Sequence, residues 1–284
     1  MLKSVHGTAG NRRLKTLRNA LIGVALLVVC AAVLLWFLPA RWVTPWIEPQ
    51  LHGLHLQQVH GSLWNGQADA TSAVDGKRLG HLQWRLSRRA LLGRMHLQLA
   101  FDGPGLTFSG TVQRLPDGRI EARDLSVHAQ LAALHPGIAT PWGNPAGALQ
   151  LTASRVLLQG GWPLELQAQG QWRDASLHTG DGDGDSDGDV ALGELQLQAQ
   201  AEAGVIHAQW HDAGRGPLQA AGELQASPLG WRLDASLRAR QTDPVLQHWL
   251  ARLGPMSADG SVHVQQGGGL AGNPPSTDKG ATQP

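Results

Sequence analysis

The sequence predicts an all-β protein carried on one N-terminal membrane helix. A single transmembrane helix precedes a large antiparallel, curved β-sheet domain (a meander, an open barrel or a sandwich) with a few short helices. Three observations carry this. Residues 20 to 38 (ALIGVALLVVCAAVLLWFL) contain no charge. From Leu51 onward, short runs alternate apolar and polar residues, the period of a strand buried on one face. Clusters of Gly, Pro and Asp break those runs at regular intervals.

The apolar stretch reaches about 28 Å as a helix, close to the thickness of a bilayer's hydrocarbon core. Lys3, Arg12, Arg13, Lys15 and Arg18 precede it with no acidic residue, which places the N-terminus in the cytoplasm. Trp36, Trp42 and Trp46 cluster at its far end, where amphipathic rings prefer the headgroup layer, and Pro39 and Pro45 end the helix. A cleaved signal peptide shares the basic start, but its apolar core runs only about 7 to 15 residues and ends in a small-x-small site. Leu38-Pro39-Ala40-Arg41-Trp42 is a poor site of that kind, and Cys30, mid-run behind Val29, is no lipoprotein cysteine. The chain therefore divides into a basic cytoplasmic tail (1–19), an uncleaved anchor in the bacterial inner membrane (20–38), a juxtamembrane link (39–50), a periplasmic β domain (51–266) and a disordered Gly- and Pro-rich tail (267–284).

The five basic residues before the anchor leave 18 of the 23 Lys and Arg to set against 22 Asp and Glu, so the exported part carries a formal charge of −4. Nucleic acid calls for a clustered basic face, and none is present. The single cysteine sits inside the anchor, which excludes disulfide and thiolate chemistry from the exported domain. Tyr is absent, and 11 Trp do most of the aromatic work.

In chain order the alternating runs are Leu79 to Leu86, Met95 to Phe101, Leu149 to Leu151, Leu164 to Ala168, Glu194 to Ala201, Val205 to Trp210 and Trp231 to Leu237. Turn signals separate them at Asp102 to Gly105, Pro116 to Gly118, Gly160-Gly161, Ala203-Gly204, Gly214 to Pro217 and Pro228 to Gly230, giving roughly a dozen strands. Ala148 to Trp172 and Glu194 to Trp210 both run strand, Gly turn, strand, Gln-Trp, the echo of a meander. Short helices fit Ser87 to Leu92, Leu131 to His135 and Asp243 to Leu253. The last has Asp243 as N-cap, Pro244 at the first position and Gly254 past the end. A sheet with one apolar face must curl, fold over or hold a greasy ligand.

The sharpest chemical motif is Asp183 to Glu194 (DGDSDGDVALGE). It has Asp at positions one, three and five of a calcium loop, Gly at six and Glu at twelve. Both flanks alternate like strands where an EF-hand has helices, so a solvated hairpin insert is the competing reading and the one those flanks favour. His52, His55 and His60, and the pair His207 and His211, invite zinc. Positions 52 and 55 face opposite sides of an extended chain, and 207 and 211 lie about 13 Å apart along one, too far to share an ion. No G-x-S-x-G elbow is present, and Gly267 to Gly269 lacks the Lys-Ser/Thr of a phosphate loop. Catalysis has no visible support, and no cofactor is expected apart from the calcium option. Trp64, Trp84, Trp172, Trp210 and Trp231 lie in or at the end of alternating strands and suit core or rim packing.

Leu38-Pro39-Ala40, Val59-His60-Gly61-Ser62-Leu63-Trp64-Asn65-Gly66 and Leu79 to Leu86 together resemble the type II secretion system protein N family. The likeness continues through Gly160 to Pro163, Gly216 to Leu218, the Arg240 neighbourhood and Leu250 to Gly254, in the family's order. The resemblance implies a non-enzymatic, single-pass inner-membrane accessory subunit of the machine that exports folded proteins. Its periplasmic β domain would contact other secretion subunits, the inner-membrane platform and the outer-membrane secretin. Of the motif residues, Gly61, Leu63, Trp64, Gly66 and Trp84 are the candidates for a structural or partner-contact role. A lipid-handling module with an apolar β groove, as in AsmA-type envelope proteins, is the alternative. The packing of the Leu and Ala face of strands such as 194 to 201 separates the two readings.

Overall fold

The computed structural model describes residues 38–42, 44, 53–72, 76–134, 140, 142–179 and 188–269. The basic tail, the anchor before Leu38 and residues 183 to 187 of the Asp-Gly loop lie outside these. Among the described residues no helix is long and apolar enough to cross a membrane.

Thirteen strands form one antiparallel sheet in simple sequence order. They are β1 (Leu54–Gly61), β2 (Asn65–Ser72), β3 (Arg78–Leu86), β4 (His96–Asp102), β5 (Leu106–Arg114), β6 (Ile120–Gln130) and β7 (Asn144–Gln159). The second half holds β8 (Trp162–His178), β9 (Asp189–Glu202), β10 (Val205–Asp212), β11 (Leu218–Ser227), β12 (Gly230–Ala239) and β13 (Ser261–Gly269). β1 pairs only with β2 and β13 only with β12, so the sheet is open, and of the arrangements compatible with the sequence the meander is the one observed. β13 runs through Gly269, so Gly267, Gly268 and Gly269, which composition assigned to the tail, are paired with β12. Each turn signal falls between two strands, as expected where Gly and Pro set the local dihedrals.

The three expected helices are all present, two of them as 3-10 turns. Arg88–Leu92 and Leu131–Leu134 are 3-10 turns, the first capped by Ser87 Oγ, which accepts from the Arg89 N–H, and ended by Gly93 at φ 78°. Helix α1 (Pro244–Leu253) has Asp243 as N-cap, its carboxylate accepting from the Val245 and Leu246 N–H groups.

Register carries one apolar face across the whole sheet, because residues paired in adjacent strands point to the same side. Trp84 pairs with Leu99, Phe101 with Phe108, Phe108 with Val127 and Val127 with Leu151. Leu149 pairs with Trp172, Trp172 with Leu195 and Leu197 with Trp210, and Leu224 pairs with Leu233. The opposite face is polar, with one unbroken row of Gln169, Gln198, Gln209, Glu223, Asp234 and Gln265.

Helix α1 covers the apolar face at one end. Its Leu246 and Leu250 are fully buried against Leu177, Val190, Leu195, Leu218 and Val262, which form the main hydrophobic cluster. The Trp249 indole donates to the Trp142 carbonyl at 3.2 Å, tying in the segment before β7. Away from this end the apolar face of β3 to β7 stays only half-buried at Leu97, Leu99, Phe101, Phe108, Val127, Leu149 and Leu151.

Candidate functional site

The family-like element Gly61 to Gly66 is the turn between β1 and β2, and the structure explains each of its residues. Gly61 sits at φ 88°, where a side chain is strained, and a Cβ there would collide with the Asn65 carbonyl. Gly66 lies directly under the Trp84 ring, which would run into any Cβ at that position. The Trp84 indole donates to the Leu63 carbonyl at 3.2 Å, and the Leu86 N–H to the Trp64 carbonyl at 2.7 Å. Trp64 is 5 % exposed and belongs to the core of this corner. Gly61, Leu63, Trp64, Gly66 and Trp84 are thus assembled into one unit, with Trp64 buried and the half-buried Trp84 ring lying over Gly66. The surface offered outward is Gly61 and Asn65, both exposed.

The end of the anchor stretch docks on this turn. The Leu63 N–H donates to the Leu38 carbonyl at 2.9 Å, and Pro39 bridges to Ser62. Trp42, in the short 3-10 turn Ala40–Trp42, is 58 % exposed beside it.

A second family-like group comes together at the helix-covered end. The Arg240 guanidinium contacts the Asp212 carboxylate at 2.6 Å and donates to the carbonyls of Gly216 and Leu218. Its backbone N–H donates to the Pro217 carbonyl at 2.7 Å. Burial alone would raise the Asp212 pKa. The Ala220 N–H, Arg240 and the Gly214 N–H outweigh it and hold the carboxyl below its ordinary value. This cluster closes the β10–β11 connection, and Gly216 packs backbone to backbone on Gly193. It clamps this connection, with the Asp212 side chain buried and Arg240 reaching the surface.

A third cluster, on the polar face, is marked by no sequence motif. Glu121, 2 % exposed, accepts from Arg123 at 2.9 Å, from Arg155 at 2.8 Å and from Gln113. The Arg123 hydrogen bond lowers its pKa most, against burial, with Gln113 and Arg155 adding to the effect. Arg155 comes from 34 residues away, so only the register of β6 with β7 reveals the group.

His207 lies 3.9 Å from Glu223 on the polar face, and His60 contacts the Gln58 carbonyl. The Asp-Gly loop joins two strands, β8 and β9, with Thr179 Oγ1 donating to the Gly188 carbonyl at 3.0 Å across its base. Of its carboxylates, Asp189 pairs with His178 at 2.8 Å and Glu194 accepts from Gln171. Asp183, Asp185 and Asp187, the three Asp of the calcium pattern, lie outside the described residues. Among the described residues no three His, Cys, Asp or Glu are grouped to hold a metal ion.

No curated protein and no solved structure matches the chain. The family model for Type II secretion system (T2SS), protein N matches residues 52–265. That span begins just before β1 and ends within β13, so it takes in nearly the entire sheet, both family-like clusters and α1. The chain belongs to the type II secretion system protein N family.

Proposed function

We propose that the protein is a non-enzymatic accessory subunit of the type II secretion machinery, held in the inner membrane by residues 20–38, with its sheet in the periplasm contacting other secretion subunits. The observation that carries this reading is the family match across the sheet. The attachment of Leu38 and Pro39 to Leu63 and Ser62 adds a geometric consequence. An anchor ending at Leu38 brings the Gly61 to Gly66 turn to the membrane surface, within reach of the inner-membrane platform. Exposed Trp42 beside that turn suits the headgroup layer. The free backbone of a sheet edge supplies the second contact, since an exposed edge pairs readily with a partner strand.

The test is photocrosslinking in the native envelope, with a photoreactive residue at exposed Asn65 and another at exposed Val245 on α1. Buried Trp64 is unsuitable as a probe position. Recovery of platform subunits from Asn65, or of secretin from either site, supports the reading. Recovery of phospholipid or lipopolysaccharide alone from both overturns it.

A second reading, a periplasmic lipid-handling module, is favoured by one feature. The half-buried apolar face of β3 to β7 is covered by no second sheet among the described residues. Acyl chains on that face would make it a groove wall.

A further inference from the structure

The two edges of the sheet are not alike. At β1 the backbone bulges at Gln58 (φ 49°), and just past the strand's end Pro39 bridges to Ser62. Bulges and covering segments are the usual protection of an edge against added strands. β13 (SVHVQQGGG) has neither Lys, Arg, Asp, Glu nor Pro, and its pairing with β12 is regular over all nine residues. Among the described residues its outer side is covered only at the start, where Met256 bridges to Val262.

The outward groups of β13 can be identified. The Ser257 N–H donates to the Ser261 carbonyl at 2.8 Å, so Ser261 faces away from β12. In an antiparallel ladder a residue's N–H and C=O point the same way and alternate along the strand, so Gln265 and Gly267 also face outward while Gln266 and Gly268 bond to β12. The pairing of Ser227 with Gly230 at the tight β11–β12 turn turns the even-numbered residues of β12 toward β11, which is the same phase.

Next to this open backbone lies an unusual side chain. Trp231 pairs with Gly268 and stretches its indole over that glycine, so its ring reaches toward the outer edge, where it is 41 % exposed. A strand added outside β13 meets no side chain at Gly267 to Gly269, and its residue opposite Gly268 lies against the Trp231 ring.

We propose that the β13 edge from Gln265 to Gly269 takes a short, extended, uncharged segment of another protein by strand addition, with an apolar side chain of that segment seated on Trp231. This names the kind of partner for the edge contact proposed above and rests on that reading. The open stretch is five residues long, 265–269. Two copies of this chain meeting there would bury far less than the roughly 1,200 Å² of a stable interface, whereas an extended segment needs only such a stretch.

The experiment is residue-resolved hydrogen exchange on the full chain in detergent, with and without an acetylated and amidated Thr-Val-Thr-Leu-Thr-Val-Thr peptide as the probe. The free protein exchanges the Gln265 and Gly267 amides fast and the Val264 and Gln266 amides slowly. The peptide slows the first two by about tenfold or more. Gly267→Pro, which removes an outward N–H that β12 does not use, abolishes the slowing, and Gly267→Ala keeps it. Trp231→Ala weakens it. Gln265 and Gly267 amides that are slow already in the free monomer, or that saturating peptide leaves fast, overturn the proposal. So does protection that rises with protein concentration in the absence of peptide, which would make a second copy the occupant. None of these readouts involves a secretion subunit, so failure to capture one from Asn65 is a separate result that counts against the membership in the machine alone.

Discussion

The two ends of the apolar face carry the same alternation of residues and meet different fates. Around α1, Leu177, Leu195, Leu218 and Val262 are buried under Leu246 and Leu250. Across β3 to β7, Leu97, Leu99, Phe101 and Leu151 have the same period and the same kind of side chain and stay half-buried. A period of two therefore states which side of a strand is apolar, but not whether anything covers that side. One ten-residue helix covers one end, and among the described residues the face of β3 to β7 has no comparable cover.

The sharpest way to break the comparison is to remove the same side chain from each end. Leu250→Ala opens a cavity in a fully closed site and costs about 2–5 kcal/mol, read by chemical denaturation. Leu99→Ala removes a side chain that water already reaches and costs about 1 kcal/mol or less by the same method. Equal losses would mean that the two ends are packed alike. Gly66→Ala tests a tight spot at the uncovered end. Overpacking beneath Trp84 costs about 1–3 kcal/mol and shifts the Trp emission of the purified chain, whereas Gly66→Ala costs less in a Trp84→Ala background, where only the Ser62 carbonyl still crowds the new methyl.

Smaller effects sharpen the same contrast. Asp243→Ala removes the N-cap of α1 and costs about 1 kcal/mol, loosening the helix that covers this end of the face. The loss registers as faster exchange of the Val245 and Leu246 amides. On the polar face the Glu121 cluster supplies a pH-dependent increment. Its carboxyl is held below its ordinary value of 4.5 by Arg123, Gln113 and Arg155. The unfolded chain therefore binds the proton first as pH falls, and the contribution is fully present above the ordinary value and lost as pH drops through the lower folded value. Denaturation of wild type and Glu121→Gln against pH shows a constant gap near neutrality that closes in acid. A gap that widens in acid would reverse the assignment.

Much of the sheet is legible because β4, β10 and the 194–201 part of β9 alternate without a break, and because Gly-Pro-Asp turns mark many strand ends. β1 and β2 were not legible. The inward positions of β2 are Gly66, Ala68 and Ala70, too small to register as an apolar period. β6 and β8 show no continuous alternation in the sequence because the backbone is irregular at Asp124 (φ 52°) and Asp174 (φ 49°), beside breaks in register, which shifts the phase mid-strand. The turn at Gly61 to Gly66 was found by its sequence, but the burial of Trp64 and the seat of Gly66 beneath Trp84 depend on β3 arriving alongside, 18 residues later in the case of Trp84. The Glu121 cluster and the clamp formed by Arg240 are likewise products of register.

The central claim is that the apolar face of β3 to β7 is kept open for something other than this chain's own core. It is tested most directly by placing a photoreactive residue at Leu99 and, separately, at Leu250, and irradiating cells that make the full chain. The account predicts that Leu99 forms an adduct with a second molecule while Leu250 links only within its own chain. A secretion subunit at Leu99 favours the connector role, and phospholipid there favours the groove. An adduct at Leu99 confined to the same chain would contradict the account, because the face would then be closed like the end beneath α1.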